Sequence, residues 1–187
     1  MSRLIKHKRL LAVGLFLGLI LILFQSTGLR DNFSLEFLRQ IFHENELTGL
    51  LIFVALFSLG NLIQIPGWLF LVAAVLTLGR IQGGSVTYIA ALVSCTLTFV
   101  SIRFIGGNAL REIDNRYARS LLGRLDARPI LSIFLLRTLF QTAPALNYAL
   151  AISGIDFRKY MIGTVIGLPL PIALYCYFFD TVAQVFK

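Results

Sequence analysis

The chain has 187 residues, of which 57% are hydrophobic and only 14% are charged, and its mean hydropathy is +0.82. Soluble domains carry about 25% charged residues, so this composition excludes an ordinary soluble fold and indicates an integral membrane protein. The net charge of +8 comes from basic residues between apolar runs, where they set membrane topology. We expect no nucleic-acid partner, because such binding requires a solvated basic face.

The first 29 residues predict an N-terminal transmembrane helix. Four Lys and Arg residues lie among the first nine, and the uncharged stretch 10–29 has the roughly 20 residues that one crossing needs. A cleavable signal peptide is the alternative, because Ser26 and Gly28 resemble a small-x-small cleavage site. We favour an uncleaved helix with a cytoplasmic N-terminus, since the rest of the chain is also membrane-embedded. Residues 30–46 then predict an amphipathic helix on the outer surface.

An uncharged run of 32 residues, 47–78, carries polar and helix-breaking residues at its centre, namely Asn61, Gln64, Pro66 and Gly67. An apolar span at 81–105 follows, and then the segment 107–129, whose five arginines against three acidic residues assign it to the cytoplasm. A single crossing by the run would place these arginines outside, and two crossings would need about 40 residues plus a turn. The run is therefore predicted to be a re-entrant hairpin that enters from outside and returns there.

The same pattern recurs in the opposite orientation. The apolar stretch 130–155 is interrupted by Arg137, Gln141, Thr142, Pro144 and Asn147. Because a basic pair after this stretch favours the cytoplasm, it is predicted to enter and leave from inside, and the span 160–183 then carries the chain out. Alignment of the prolines at 66 and 144 gives an inverted repeat, an arrangement found in secondary transporters.

The predicted fold is thus an all-α polytopic membrane protein with an N-terminal transmembrane helix and an inverted repeat in a domain at 47–187. Each repeat unit contains a re-entrant helical hairpin followed by a transmembrane helix. The basic segment 107–129 has apolar residues at helical spacing, which predicts an interfacial amphipathic helix on the anionic inner leaflet. Recruitment of a cytoplasmic partner is the alternative role for this segment.

The hairpin tips are the predicted binding site. Non-helical backbone at membrane depth must pack in protein or face a wet cavity, and half-helix N-termini favour anions such as a lipid phosphate. A central Arg costs about 3 kcal/mol in the membrane, so Arg137 should face the interior, either as a headgroup ligand or as a cap on carbonyls of the opposite hairpin. Asn147, Gln64 and Arg103 are further substrate-binding candidates. The alternatives are satisfaction of the tip backbone for Asn147 and Gln64, and snorkelling to the inner interface for Arg103.

Enzyme chemistry finds little support in the sequence. His7 and His43 lie in terminal and surface segments, and no acidic residue occurs between Glu46 and Glu112. The two cysteines lie apart inside apolar runs, which is typical of buried small side chains and not of a disulfide or metal site. We expect no catalytic residues, no metal and no cofactor.

Several passages resemble the DedA superfamily, specifically its VTT-domain (SNARE-associated) branch. They are "IQIPGWLFLVAAVLTLGRIQGG" with "IRFIGG", and "LLRTLFQTAPALNYALAISGIDFRKYMIGTVIGLPLP", and the likeness covers about 47–180. The resemblance implies two re-entrant hairpins and lipid translocation, including phospholipid scrambling and recycling of undecaprenyl phosphate. Family members also place acidic residues near the first hairpin for proton coupling. This chain has none within its apolar runs, which favours passive scrambling or a differently driven carrier.

The leading hypothesis is a flippase or scramblase-like transporter that moves a phosphate-headgroup lipid, such as a phospholipid or undecaprenyl phosphate, across the cell inner membrane. Membrane lipids are the expected partners, and a chain this small often needs a second copy, so a homodimer is also expected. A membrane assembly protein that recruits partners without transport is one alternative. A carrier of small solutes or ions is another.

Overall fold

The computed structural model describes residues 45–112 and 116–185, together with six single positions nearer the N-terminus. The predicted N-terminal transmembrane helix (1–29) and outer amphipathic helix (30–46) fall almost entirely outside this part. All regular structure in the described ranges is helical, which confirms the all-α prediction. The helices are α1 (Glu46–Leu62), α2 (Gly67–Leu78), α3 (Arg80–Gly106), α4 (Arg116–Ala127), α5 (Pro129–Phe140), α6 (Pro144–Ile152), α7 (Phe157–Gly167) and α8 (Pro169–Val185), with a 3-10 helix at Ala109–Glu112.

Two helical segments are long and apolar enough to cross a membrane. One is α3, with 27 residues, and the other is Phe157–Ala183, also 27 residues, which joins α7 to most of α8. At 1.5 Å per residue, each is about 40 Å long, more than the roughly 30 Å of a hydrocarbon core. The remaining apolar helices are shorter: α1 has 17 residues, and α2 and α5 have 12 each.

Within each pair of short helices, α1 with α2 and α5 with α6, a break separates the two helices and leads into a proline. The first break is 63–66 and the second is 141–143. Pro66 is the N-cap of α2, and Pro144 is the first residue of α6. Each break contains a glutamine in the left-handed region, Gln64 with φ of 72° and Gln141 with φ of 50°. These are the non-glycine residues with positive φ in the described ranges, and such a conformation stops a helix because it reverses the local direction of the chain.

The first pair of short helices doubles back on itself. Glu46 and Leu47 at the start of α1, Thr77 and Leu78 at the end of α2, and Ile81 at the start of α3 line one groove of about 600 Å³. The two ends of 47–78 therefore meet, and the break at 63–66 lies at the opposite end. Asn45 fixes the start of α1, because its side-chain oxygen accepts hydrogen bonds from the backbone N–H groups of Leu47 and Thr48 at 3.0 and 3.1 Å.

Two clusters of buried apolar side chains lie one after the other along α3. The first cluster joins α1, α2, α8 and the N-terminal part of α3, and Phe53, Phe57 and Phe70 are in mutual ring contact within it. The second joins α4, α5, α6, α7 and the C-terminal part of α3, where the rings of Phe99 and Tyr160 lie 4.4 Å apart between centroids. The protein thus has two cores, α3 is common to both, and α8 from the end of the chain packs into the first.

Glycines allow the helices within each half to approach closely. A Cβ atom at Gly83 on α3 would lie 2.6 Å from the carbonyl oxygen of Ala74 on α2. On α7, a Cβ at Gly163 would lie 2.7 Å from Ile133 Cβ, and one at Gly167 would lie 2.7 Å from Arg137 Cβ. Small residues at such positions let membrane helices pack backbone to backbone.

The structure divides the basic segment 107–129, for which a single helix is predicted. The helix α3 ends at Gly106, Gly107 has a φ of 55°, and the chain forms a short 3-10 helix before α4 begins. Arg111 joins these parts: it donates to the Ser153 carbonyl at 2.7 Å and pairs with Asp126 on α4. The hydrogen bond from Arg111 holds the pKa of Asp126 below its usual range.

Candidate functional site

Arg137 is the one charged residue of helix α5, and its side chain is fully buried. The helix ends three residues later at Phe140, so Arg137 occupies its last turn, beside the second break. The close approach of α7 at Gly167 packs a backbone directly against the stem of this arginine. The guanidinium is thereby held at the junction of α5, the second break and α7.

Every nitrogen of the Arg137 guanidinium donates a hydrogen bond. Nη1 donates to the Gln141 carbonyl at 2.9 Å and to Asn147 Oδ1 at 2.6 Å. Nη2 donates to the Tyr160 hydroxyl at 2.8 Å, and Nε donates to Thr164 Oγ1 at 3.3 Å. The guanidinium carbon also lies 5.3 Å from the centroid of the Tyr160 ring. Arg137 therefore ties the second break to α6 and α7.

Asn147 extends this network to the first break. Its Nδ2 donates to Asn61 Oδ1 at 2.7 Å, and Asn61 Nδ2 donates to the Thr142 carbonyl at 2.9 Å. Both asparagines are fully buried. The Tyr148 hydroxyl adds hydrogen bonds to the carbonyls of Asn61 and Leu62 at the end of α1. The two breaks are thus joined through buried polar side chains, and we call this set, Arg137, Asn147, Asn61, Tyr160 and Thr164, the tip network.

The charge of Arg137 is stabilised by neutral dipoles. Its acceptors are a carbonyl, an amide oxygen and two hydroxyls. The ion pairs observed between described residues join Arg80 to Asp180 and Arg111 to Asp126, and Arg137 belongs to neither. The N-termini of α2 and α6 begin at the two breaks, and neither has a side-chain cap. The Arg137 guanidinium and these two N-termini, which favour anions, thus lie at the breaks together with the C-terminal ends of α1 and α5.

Arg103 is placed outside the tip network. Its Nε donates to the Ala151 carbonyl, its Nη2 to the Ile155 carbonyl at 2.8 Å and its Nη1 to Asn108 Oδ1 at 3.3 Å. The guanidinium also lies over the ring of Phe99, 4.7 Å from its centroid. Arg103 thus binds the carbonyls at the C-terminal end of α6, which orients the second pair of short helices on α3.

The predicted tip residues are only partly brought together. Gly67 lies directly against Thr142, so the first helix turn of α2 touches the second break. Pro144 and Thr142 are buried, and the Gln141 carbonyl is an acceptor for Arg137. Gln64, in contrast, is exposed at the first break and takes no part in the hydrogen bonds around Arg137.

Three members of the tip network were not among the predicted binding residues. Asn61 could have been predicted from the sequence, because a buried amide in an uncharged membrane run requires a hydrogen-bond partner. In the structure that partner is Asn147. Tyr160 and Thr164 lie four residues apart on α7, on the face that carries Gly163 and Gly167. That face could be recognised as a packing surface, but the sequence does not show which helix it contacts.

A comparison with protein-family models finds the VTT domain at residues 65–181 of this chain. No curated protein and no solved structure matches. The matched region includes Pro66, the whole second break with Pro144, and every tip-network residue except Asn61. Because the match covers more than half of the 187 residues, the chain belongs to the VTT-domain (DedA/SNARE-associated) family of membrane-associated proteins.

Proposed function

We propose that this protein moves phosphate-headgroup lipids, such as phospholipids or undecaprenyl phosphate, between the leaflets of the inner membrane. The proposed activity is that of a flippase or scramblase, and no catalytic step is involved. One observation carries the proposal: Arg137, with neutral partners only, lies where two uncapped helix N-termini meet. A phosphate is an anion with several acceptor oxygens, which is the chemistry such a junction recognises.

The proposal includes two re-entrant hairpins, formed by α1 with α2 and by α5 with α6. Their helices have 17, 12, 12 and 9 residues, all short of the roughly 20 that a crossing needs. The shared groove at the outer ends of α1 and α2 supports the first hairpin. In this topology the N-terminus and the basic segment are cytoplasmic, and the tip network lies near the bilayer centre. A second copy of the chain would complete the walls of the pathway.

Headgroup contact requires the two tips to separate, because the Arg137 donors are occupied in the closed arrangement. A phosphate oxygen can replace Asn147 Oδ1 and the Gln141 carbonyl as acceptors of the same guanidinium edge. Charge-assisted hydrogen bonds to phosphate are stronger than those to neutral oxygens, which offsets the loss of the internal bonds. The apolar runs of both hairpins lack acidic residues, since Glu46 is only the first residue of α1, so we propose movement without proton coupling.

The test is reconstitution in liposomes with a fluorescent phospholipid and, in parallel, a fluorescent neutral glycolipid. Arg137→Gln should slow phospholipid movement about tenfold or more, since hydrogen bonds to charged groups contribute about 1.5–3 kcal/mol. Arg137→Lys, which keeps the charge but not the planar fork, should retain part of the rate. Arg103→Lys is the matched control, because Arg103 binds backbone carbonyls outside the tip network and should leave the rate near wild type.

Other outcomes distinguish the alternatives. Equal rates for both labelled lipids would show that phosphate is not recognised, and equal rates for folded Arg137→Gln and wild type would remove Arg137 from the pathway. Wild-type protein that moves no lipid, yet captures a partner through Arg116 and Arg119, would favour an assembly role. Solute uptake without lipid movement would favour a small-solute carrier. A pH gradient should leave the lipid rate unchanged.

A further inference from the structure

A small cavity lies where the first core cluster meets the second break. Its walls come from α1, α2, α3, α8 and the break, and its volume is about 10 Å³. A cavity of this size accommodates one water molecule and nothing larger. Most of the wall is apolar, but Thr87 on α3 and Gln141 and Thr142 on the second break also line it.

Two buried polar atoms at this cavity have no hydrogen-bond partner among protein atoms: Thr87 Oγ1 and Gln141 Nε2. Thr87 is 3% exposed. Helical threonines elsewhere in this chain, Thr77, Thr96 and Thr138, donate to the carbonyl four residues earlier. The Thr87 hydroxyl makes no such bond, so its hydrogen-bonding capacity is left for the cavity. Buried polar atoms without partners are costly, and ordered water is their usual partner in proteins.

The polar groups around the cavity select the ligand. Gln141 Nε2 is a donor only, whereas the Thr87 hydroxyl can donate and accept. Gly67, the first residue of the uncapped helix α2, also lines the cavity, and a helix N-terminus carries partial positive charge. This set disfavours a cation, and the volume excludes a polyatomic anion. A single water, which accepts from Gln141 and donates to or accepts from Thr87, satisfies both atoms.

We infer that this cavity is a binding site for one ordered water, which bridges Thr87 in the first half and Gln141 in the second. The bridge adds a water-mediated link to the direct hydrogen bonds that join Asn61 to Asn147 and to the Thr142 carbonyl. Unlike those direct bonds, it is made through a molecule that can exchange. The inference concerns the closed protein alone, and it stands whether or not the protein moves lipids.

Thr87→Val tests the inference, because valine has nearly the same shape and lacks the hydroxyl. If a water is bound, the variant loses a hydrogen bond to it, and the Tm of detergent-solubilised protein should fall by about 2–4 °C. Thr98→Val is the matched control: Thr98 is also a buried, unpartnered threonine on α3, but it does not line the cavity. Because Thr98→Val removes a hydroxyl that has no partner, this variant should have an unchanged or higher Tm. Thr87→Ser, which keeps the hydroxyl, should lie closer to wild type than Thr87→Val.

A rise in Tm for Thr87→Val equal to that for Thr98→Val would show that the cavity is dry, and it would overturn the inference. If Thr87→Val does not fold, a high-resolution structure of the wild-type protein decides the question. A density peak within hydrogen-bonding distance of both Thr87 Oγ1 and Gln141 Nε2 is expected. Empty density at that point, with neighbouring ordered waters visible, would refute the site.

Discussion

A single arginine determines much of the chemistry at the centre of this protein. The sequence shows that Arg137 must avoid lipid, and it leaves two roles open, a headgroup ligand and a cap on the opposite hairpin. In the structure the guanidinium caps a carbonyl of its own break, at Gln141, and is linked to α1 only through Asn147 and Asn61. The acceptors of a buried cation depend on which helices meet, which no local pattern specifies.

Asn147 should therefore be important for stability. Asn147→Ala removes an acceptor of Arg137 and a donor to Asn61, so it leaves one charged and one neutral group unsatisfied in the core. We expect a loss of about 2–4 kcal/mol in the free energy of unfolding. The measurement is chemical or thermal unfolding in detergent.

Asn108→Ala is the control for this substitution. Asn108 is an exposed asparagine that also accepts from an arginine, Arg103, at 3.3 Å. Because water replaces an exposed partner, its loss should cost less than about 0.5 kcal/mol. Equal effects for the two variants would contradict the structural role assigned to the tip network.

At the scale of helices, the contacts within each half depend on glycine. The sequence places Gly79 and Gly83 four residues apart at the start of the first long helix, and Gly163 and Gly167 four residues apart on the second. Such spacing indicates a close helix contact. The structure identifies the partners as α2 for Gly83 and α5 for Gly163 and Gly167.

Gly83→Ala should destabilise the protein by about 1–3 kcal/mol. The added Cβ would lie 2.6 Å from a backbone oxygen of α2, which cannot rotate away as a side chain can. Gly123→Ala is the matched control, because a Cβ there meets nothing within 4 Å and the position lies in helix α4. Alanine is the better helix former, so the control should be neutral or stabilised by up to about 1 kcal/mol. Destabilisation of both variants to the same extent would show that helix contact at Gly83 is unimportant.

For the whole molecule, the side of the membrane on which the ends of each helix pair lie distinguishes re-entrant hairpins from simple crossings. Two re-entrant hairpins place Asn45 and Ile81 outside and Phe157 inside. A single crossing by α1 and α2 would instead place Asn45 and Ile81 on opposite sides. All three positions are exposed, so each can carry a reporter cysteine.

With Cys95 and Cys176 replaced, single cysteines at 45, 81 and 157 should show two reactivity classes towards an impermeant maleimide. Positions 45 and 81 should react in intact cells whose outer membrane is permeabilised, and position 157 only after the inner membrane is opened. Both native cysteines are free and buried, so alanine is the replacement to use, because it is small and adds no hydroxyl to the core. Reaction of 45 and 81 from opposite sides would exclude the first hairpin.

The sequence by itself determined the helical class, the two long apolar helices and the positions of the proline breaks. These features follow from composition, charge distribution and local backbone restrictions, all of which act over a few residues. It also identified Arg137 and Asn147 as residues that require polar partners. The tertiary structure alone decided that Arg103 binds the end of α6, that Gln64 is exposed, and that Thr87 and Gln141 share a cavity. Those contacts join residues far apart in the chain, and their geometry depends on the packing of α3 between the two halves.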